Sequence, residues 1–116
     1  MFGFKSTKGY TEILKGIKIK TINYGNKMLM SEFLLKKNTL LPRHSHPHEQ
    51  SGYLVKGSIR LFINGTSKLL KPGDNWCIAE NIEHHAEIIE DSVAVEVFSP
   101  VRRDYLKYLN REDIIQ

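Results

Sequence analysis

The chain reads as an all-β protein, a single antiparallel barrel or sandwich, on three observations. Strand signals recur along it with turn residues between them, at the spacing of ~8–12 residues that such folds show. The strongest hairpin marker, Asn64-Gly65, sits mid-chain, and both of its residues tolerate positive φ. All five histidines fall in two short clusters, His44, His46 and His48 in one and His84 and His85 in the other.

The elements follow in order. Gly16 to Thr21 alternates apolar and polar residues, and Asn23 to Asn26, with Gly25 inside, is a turn. Met28 to Lys36 is a longer apolar-rich strand. His44 and His46 belong to a short strand that Pro47 interrupts. Gly52 to Lys56 and Ser58 to Ile63 flank Gly57, and Ser67 to Leu70 returns from the Asn64-Gly65 hairpin. Pro72-Gly73-Asp74 makes another turn before Asn75 to Ala79; His84 to Ile89 and Ser92 to Phe98 complete about nine strands. Beyond Pro100, residues Arg102 to Arg111 carry Tyr105, Leu106, Tyr108 and Leu109 at helical spacing, which predicts a short C-terminal helix lying on the barrel.

A length of 116 residues predicts one domain over 1–116, with a core barrel over about 28–99. The opening Met1-Phe2-Gly3-Phe4-Lys5 lacks the apolar run of a signal peptide, and no stretch reaches the ~20 apolar residues of a membrane helix. A cytoplasmic protein without membrane contact is the expectation. The formal charge of +4 is scattered, with no basic stripe interleaved with aromatics, so nucleic-acid binding is not expected. Cys77 is the only cysteine and lies in the apolar run Trp76 to Ala79, which predicts a buried, inert thiol.

On an extended strand, residues two apart share a face, so His44 and His46 point the same way. Gln50 keeps their parity, and His84 is placed to supply a fourth donor from a neighbouring strand. Three neutral imidazoles and an amide oxygen suit one borderline divalent cation (Zn, Ni, Mn, Fe or Cu) rather than Ca²⁺ or Mg²⁺, which prefer all-oxygen sites. Such donors add no negative charge, so the ion keeps its full +2 and favours an anionic or polarised oxygen ligand. His48 and His85 are the weaker members, expected to play supporting or surface roles. Arg43 has parity opposite to His44 and belongs outside.

These residues resemble the cupins, small jelly-roll (double-stranded β-helix) barrels whose first motif is G(X)5HXH(X)3–4E(X)6G. Here His44-Ser45-His46, Gln50 and Gly57 match its spacing, with the first glycine absent and Gln50 in place of the acid. Pro72-Gly73-Asp74 and His84 match the second motif. A narrower resemblance is to the KdgF-type cupins, through His-Pro-His-Glu-Gln followed by Gly-Tyr-Leu-Val-Lys-Gly, and through Glu96-Val97-Phe98-Ser99-Pro100-Val101-Arg102. That resemblance implies a metal held by His44, His46, Gln50 and His84, and the opening of cyclic 4,5-unsaturated uronates, from pectin or alginate, to linear keto sugar acids. It also implies roles for Glu96, Phe98 and Arg102, with Glu96 where Asp is usual.

On this reading Glu96 is the general acid/base, its parity shared with Phe98 and its carboxyl raised in pKa by an apolar barrel. Arg102 is the expected partner of a substrate carboxylate, or else an anchor for the C-terminal helix through Asp104. Phe98, Tyr53 and Trp76 are the candidate lining of the sugar pocket. Competing readings are another metal-dependent cupin enzyme, a dioxygenase or sugar isomerase, or a non-catalytic module that binds a sugar acid. A homodimer is expected, because a strand within residues 1–14 has few partners in so short a barrel; Phe2 and Phe4 are its candidate anchors. The native metal and the preferred uronate are left open by the sequence.

Overall fold

Two long strands, each bent at its middle, organise the molecule. The structure is a computed structural model that describes residues 1–116. In chain order the strands are β1 (Phe2–Gly3), β2 (Thr11–Leu14), β3 (Ile17–Tyr24), β4 (Leu29–Leu35), β5 (Leu40–His44), β6 (Glu49–Ile63), β7 (Thr66–Leu70), β8 (Asn75–Ile78), β9 (His84–Ser99) and β10 (Ile114–Ile115). All pair antiparallel. The expected all-β jelly-roll barrel is what the residues build.

The breaks expected at Gly57 and near Ser92 are bends instead of turns. Gly57 has φ +93°, and the β6–β9 register shifts between Lys56 and Ser58. Ser92 sits beside it, buried. Its hydroxyl accepts from the Ser58 N–H at 3.0 Å and donates to the Glu90 carbonyl at 2.7 Å. Both strands therefore deviate at one place and stay paired through it, as a matched bulge allows. The register then separates two layers. In one, the first half of β6 lies between β8 and the last half of β9, which continues to β4, β3 and β2. In the other, the second half of β6 lies between β7 and the first half of β9, which continues to β5.

Period-2 alternation fills the space between the layers. Leu29, Ser31, Phe33 and Leu35 of β4 face inward, as do Leu54, Ile59 and Leu61 of β6 and Ala86, Ile88, Ala94 and Phe98 of β9. Each large apolar side chain so buried contributes about 1.5–3 kcal/mol. The Asn64-Gly65 hairpin forms as expected, with φ of +47° and +84° closing Ile63 against Thr66.

Three expectations are corrected. The C-terminal segment is a 3₁₀ turn over Arg103–Tyr108, followed by a second over Arg111–Asp113, not an α-helix. Six residues without a side-chain cap are too few to sustain α-helical cooperativity, and short 3₁₀ pieces are the usual outcome. The turn does lie on the barrel: Tyr105 and Leu106 pack against the core, and Thr21 Oγ1 donates to the Tyr105 carbonyl at 2.7 Å. Cys77 is exposed, because Trp76 and Ile78 of β8 turn inward and alternation sends Cys77 out.

The N-terminal segment, thirdly, finds partners in its own chain. β1 pairs with β10, and β2 with β3. Lys20, only 3% exposed, ties these ends down: its Nζ donates to the Ser6 carbonyl at 3.1 Å, the Lys8 carbonyl at 2.9 Å and Asp113 Oδ2 at 3.1 Å. A buried ammonium with all its protons engaged avoids the penalty of an unpaired one. Phe2 and Phe4 remain exposed. No helix is long and apolar enough to cross a membrane.

Candidate metal centre

The site forms where the two layers open, at the ends of the strands farthest from the bend. His44 closes β5 and stands in register with His84, the first residue of β9. Their ring centroids are 4.1 Å apart. His46 follows in the connector to β6, with its ring 5.2 Å from that of His84 and 5.9 Å from that of His44. One ligating atom from each of the three lies within 4.8 Å of the others. Gln50, second residue of β6, comes from the facing layer, buried beside His46 and in register with Phe98.

Backbone carbonyls set the tautomers. Nδ1 of His44 lies 2.8 Å from the Pro42 carbonyl, Nδ1 of His46 lies 2.9 Å from that of His48, and Nδ1 of His84 lies 2.9 Å from that of Ile82. A carbonyl oxygen only accepts, so each Nδ1 carries the proton and each Nε2 keeps its lone pair. His46 Nε2, His84 Nε2 and Gln50 Oε1 are buried without any protein partner. Buried polar atoms in native proteins are nearly always satisfied, so three orphaned acceptors in one cluster fit a cation-binding site. Burial lowers the His84 pKa to about 4; burial, then the Arg102 charge, lowers that of His46. Both rings are neutral near pH 7, the form in which imidazole binds a metal.

Glu96 points inward beside this cluster, on the face it shares with Phe98. Its Oε1 accepts from Gln50 Nε2 and, at 2.8 Å, from Trp76 Nε1. Burial pushes the Glu96 carboxyl above its ordinary range, against the opposing pull of these two donors and of Arg102. Arg102 lies over Tyr105, its guanidinium carbon 3.8 Å from the ring centroid, and over Phe98 at 5.1 Å. Its Nε also donates to the Asp104 carboxylate at 3.3 Å. Glu96, Gln50, Trp76 and Arg102, with His44 and His84, line an interior cavity of about 70 Å³.

The remaining candidates divide by parity. Phe98 is 1% exposed, packs edge-on against His46 at 5.8 Å and borders the cavity. Trp76 borders the cavity. Tyr53 does not: it is 51% exposed on the face of β6 opposite Gln50, which removes it from the expected pocket lining. His48 stands next to His46 at 5.7 Å, and its carbonyl orients that ring. His85 turns outward and stacks on Phe62 at 4.2 Å. Arg43 is on the surface near Glu83. Sequence reasoning passed over Gly52, whose signal was a glycine inside an otherwise continuous strand pattern.

This barrel, with its histidine cluster between two bent layers, defines a class. The chain belongs to the cupin family, whose cupin-domain model matches residues 31–100. Within that family it is similar to the pectin degradation protein KdgF of Dickeya dadantii, with 32% identity over 99 residues, 84% of this chain and 90% of that protein. The structure of KdgF from Halomonas sp. superimposes with a TM-score of 0.87 at 26% identity, covering 91% of this chain and 98% of that one. An RmlC-like cupin from Shewanella frigidimarina gives a TM-score of 0.86 at 24% identity over 90% and 95% of the two chains, a likeness of fold alone.

Proposed function

We propose that this cupin opens cyclic 4,5-unsaturated uronates to linear keto sugar acids, using one divalent transition metal held by His44, His46, Gln50 and His84. The observation that carries the reading is the 32% identity, over most of both chains, to a pectin degradation protein. The orphaned Nε2 and Oε1 atoms support the ligand set. When bound, the ion supplies Lewis acidity toward substrate oxygens.

The protein's own residues do the rest. At about 70 Å³ the interior cavity is too small to enclose a sugar ring, so the ring sits at its mouth. There Arg102 faces the uronate carboxylate. Glu96 takes the proton of the anomeric hydroxyl, the bond from the anomeric carbon to the ring oxygen breaks, and its electrons remain on the freed enolate. Returning the proton to the vinyl carbon gives the ketone, with no net change in oxidation state. A carboxyl raised by burial is suited to both transfers.

The test follows loss of the substrate's ultraviolet absorbance with metal-loaded protein, against spontaneous decay and a chelated sample. Metal-dependent acceleration is expected, with a loss of about 10²-fold or more in Glu96→Gln. No acceleration with Zn, Ni, Mn, Fe or Cu would leave a cupin with another substrate.

A further inference from the structure

Three strands meet in a single row beside the imidazoles. Gly52 of β6 pairs with Trp76 of β8 on one side and with Glu96 of β9 on the other. A side chain at position 52 would stand between its two neighbours. A Cβ there would lie 2.2 Å from Cε2 and Nε1 of the indole and 2.4 Å from Cζ2, closer than atoms approach. With only hydrogen at that position, the indole lies across the strand and its Nε1–H reaches Glu96 Oε1 at 2.8 Å. The same oxygen accepts from Gln50 Nε2. A carboxylate only accepts, so the NH₂ of Gln50 must face Glu96, and the amide oxygen is left as the unpartnered acceptor.

We propose that Gly52 and Trp76 are positioning residues for this site: the indole, laid over Gly52, holds the Glu96 carboxylate, and that carboxylate decides which end of the Gln50 amide is offered to a metal. The catalytic half of this inference rests on the function proposed above; the metal-binding half stands on the geometry alone. The row is also a reporter. Trp76 is the only tryptophan, two hydrogen bonds from the Gln50 amide, so its emission senses what binds there.

The test titrates Zn²⁺ into metal-free protein, read by calorimetry and by tryptophan emission, and then measures turnover of an unsaturated uronate. In the wild type the emission change should track calorimetric binding and saturate at one equivalent. Glu96→Ala should still bind Zn²⁺ by calorimetry, more weakly, while its emission change is lost. Trp76→Phe keeps an aromatic ring but removes the N–H. It should bind about 10-fold more weakly, at the low end of the 10–100-fold cost of disturbing a ligand's support. Its kcat should fall with KM within about 2-fold, since positioning acts on the transition state.

Gly52→Ala should match it by displacing the indole. The double variant Gly52→Ala/Trp76→Phe should then be no worse than Trp76→Phe alone, because no indole is left to displace. Thermal unfolding of each variant separates these losses from misfolding, which would make the two effects additive. Wild-type Zn²⁺ affinity in Trp76→Phe overturns the proposal, as does a raised KM with kcat and affinity unchanged, the signature of a plain sugar contact. Weakened Zn²⁺ binding in a protein that turns over no uronate would uphold the positioning role and remove only the function proposed above.

Discussion

Replacing Gly57 by alanine attacks the bend on which the two layers depend. At φ +93° an L-residue is strained, a cost of about 1–2 kcal/mol. The new methyl would also lie 2.2 Å from Ser92 Oγ, 2.4 Å from the Asp91 carbonyl oxygen and 2.6 Å from Ser92 Cα. Two of those three atoms are backbone, so a rotamer change does not relieve the clash, and overpacking of this kind costs about 1–3 kcal/mol. Moving Ser92 aside breaks its hydrogen bond to the Ser58 N–H, worth about 1 kcal/mol. The total is about 4 kcal/mol, a large share of the ~5–15 kcal/mol by which such proteins are stable.

Gly65→Ala is the matched control. Its φ is +84°, yet nothing lies within 4 Å of the added methyl, so only the conformational cost of about 1 kcal/mol applies. Urea unfolding followed by far-ultraviolet circular dichroism, in excess chelator so that metal binding does not enter, measures both. If Gly57→Ala loses no more than Gly65→Ala, the account of the bend is wrong.

Two further outcomes are expected. His84 titrates near 6.5 when unfolded and at about 4 when folded, so between those values the unfolded chain binds more protons; its contribution to metal-free stability is complete above pH 6.5 and is lost toward pH 4, by up to about 3 kcal/mol, with His46 and His48, also lowered, acting in the same direction. The measurement belongs in Glu96→Gln, because the raised Glu96 carboxyl contributes the opposite slope, and a pH-independent urea midpoint there would contradict the burial of His84. Cys77, on the outer face of β8, should react stoichiometrically with an aromatic disulfide reagent in the native state, and a requirement for denaturant would place it inside.

Parity carried the sequence a long way. Ala94, Glu96 and Phe98 alternate inward as their spacing requires, and one histidine at each strand end was enough to bring His44 opposite His84. Where parity had to be chosen for a short run, it was less informative: in Trp76-Cys77-Ile78 all three residues are apolar, and only the β6–β8 register shows which one turns out. Tyr53 was misplaced although its offset of three from Gln50 already put it on the opposite face of β6. Gly57 and the segment near Ser92 each read as a break in isolation. That they bend together, and so preserve two long strands, is a relation sealed by Ser58 and Ser92, 34 positions apart, that no local pattern contains. The Gly52 row is non-local in the same way.

The bend also makes each long strand a lever. Gln50 and His84 sit at the far ends of arms that pivot near Gly57 and Ser92, about seven residues at ~3.3 Å each, or ~23 Å out. A rotation of only about 2° at the pivot moves the tip by about 0.8 Å, close to the ~1 Å displacement that costs an enzyme 10²-fold. The spacing between ligands contributed by opposite layers is thereby sensitive to the angle between two ribbons at a point half a strand away, as well as to the connector that carries His46.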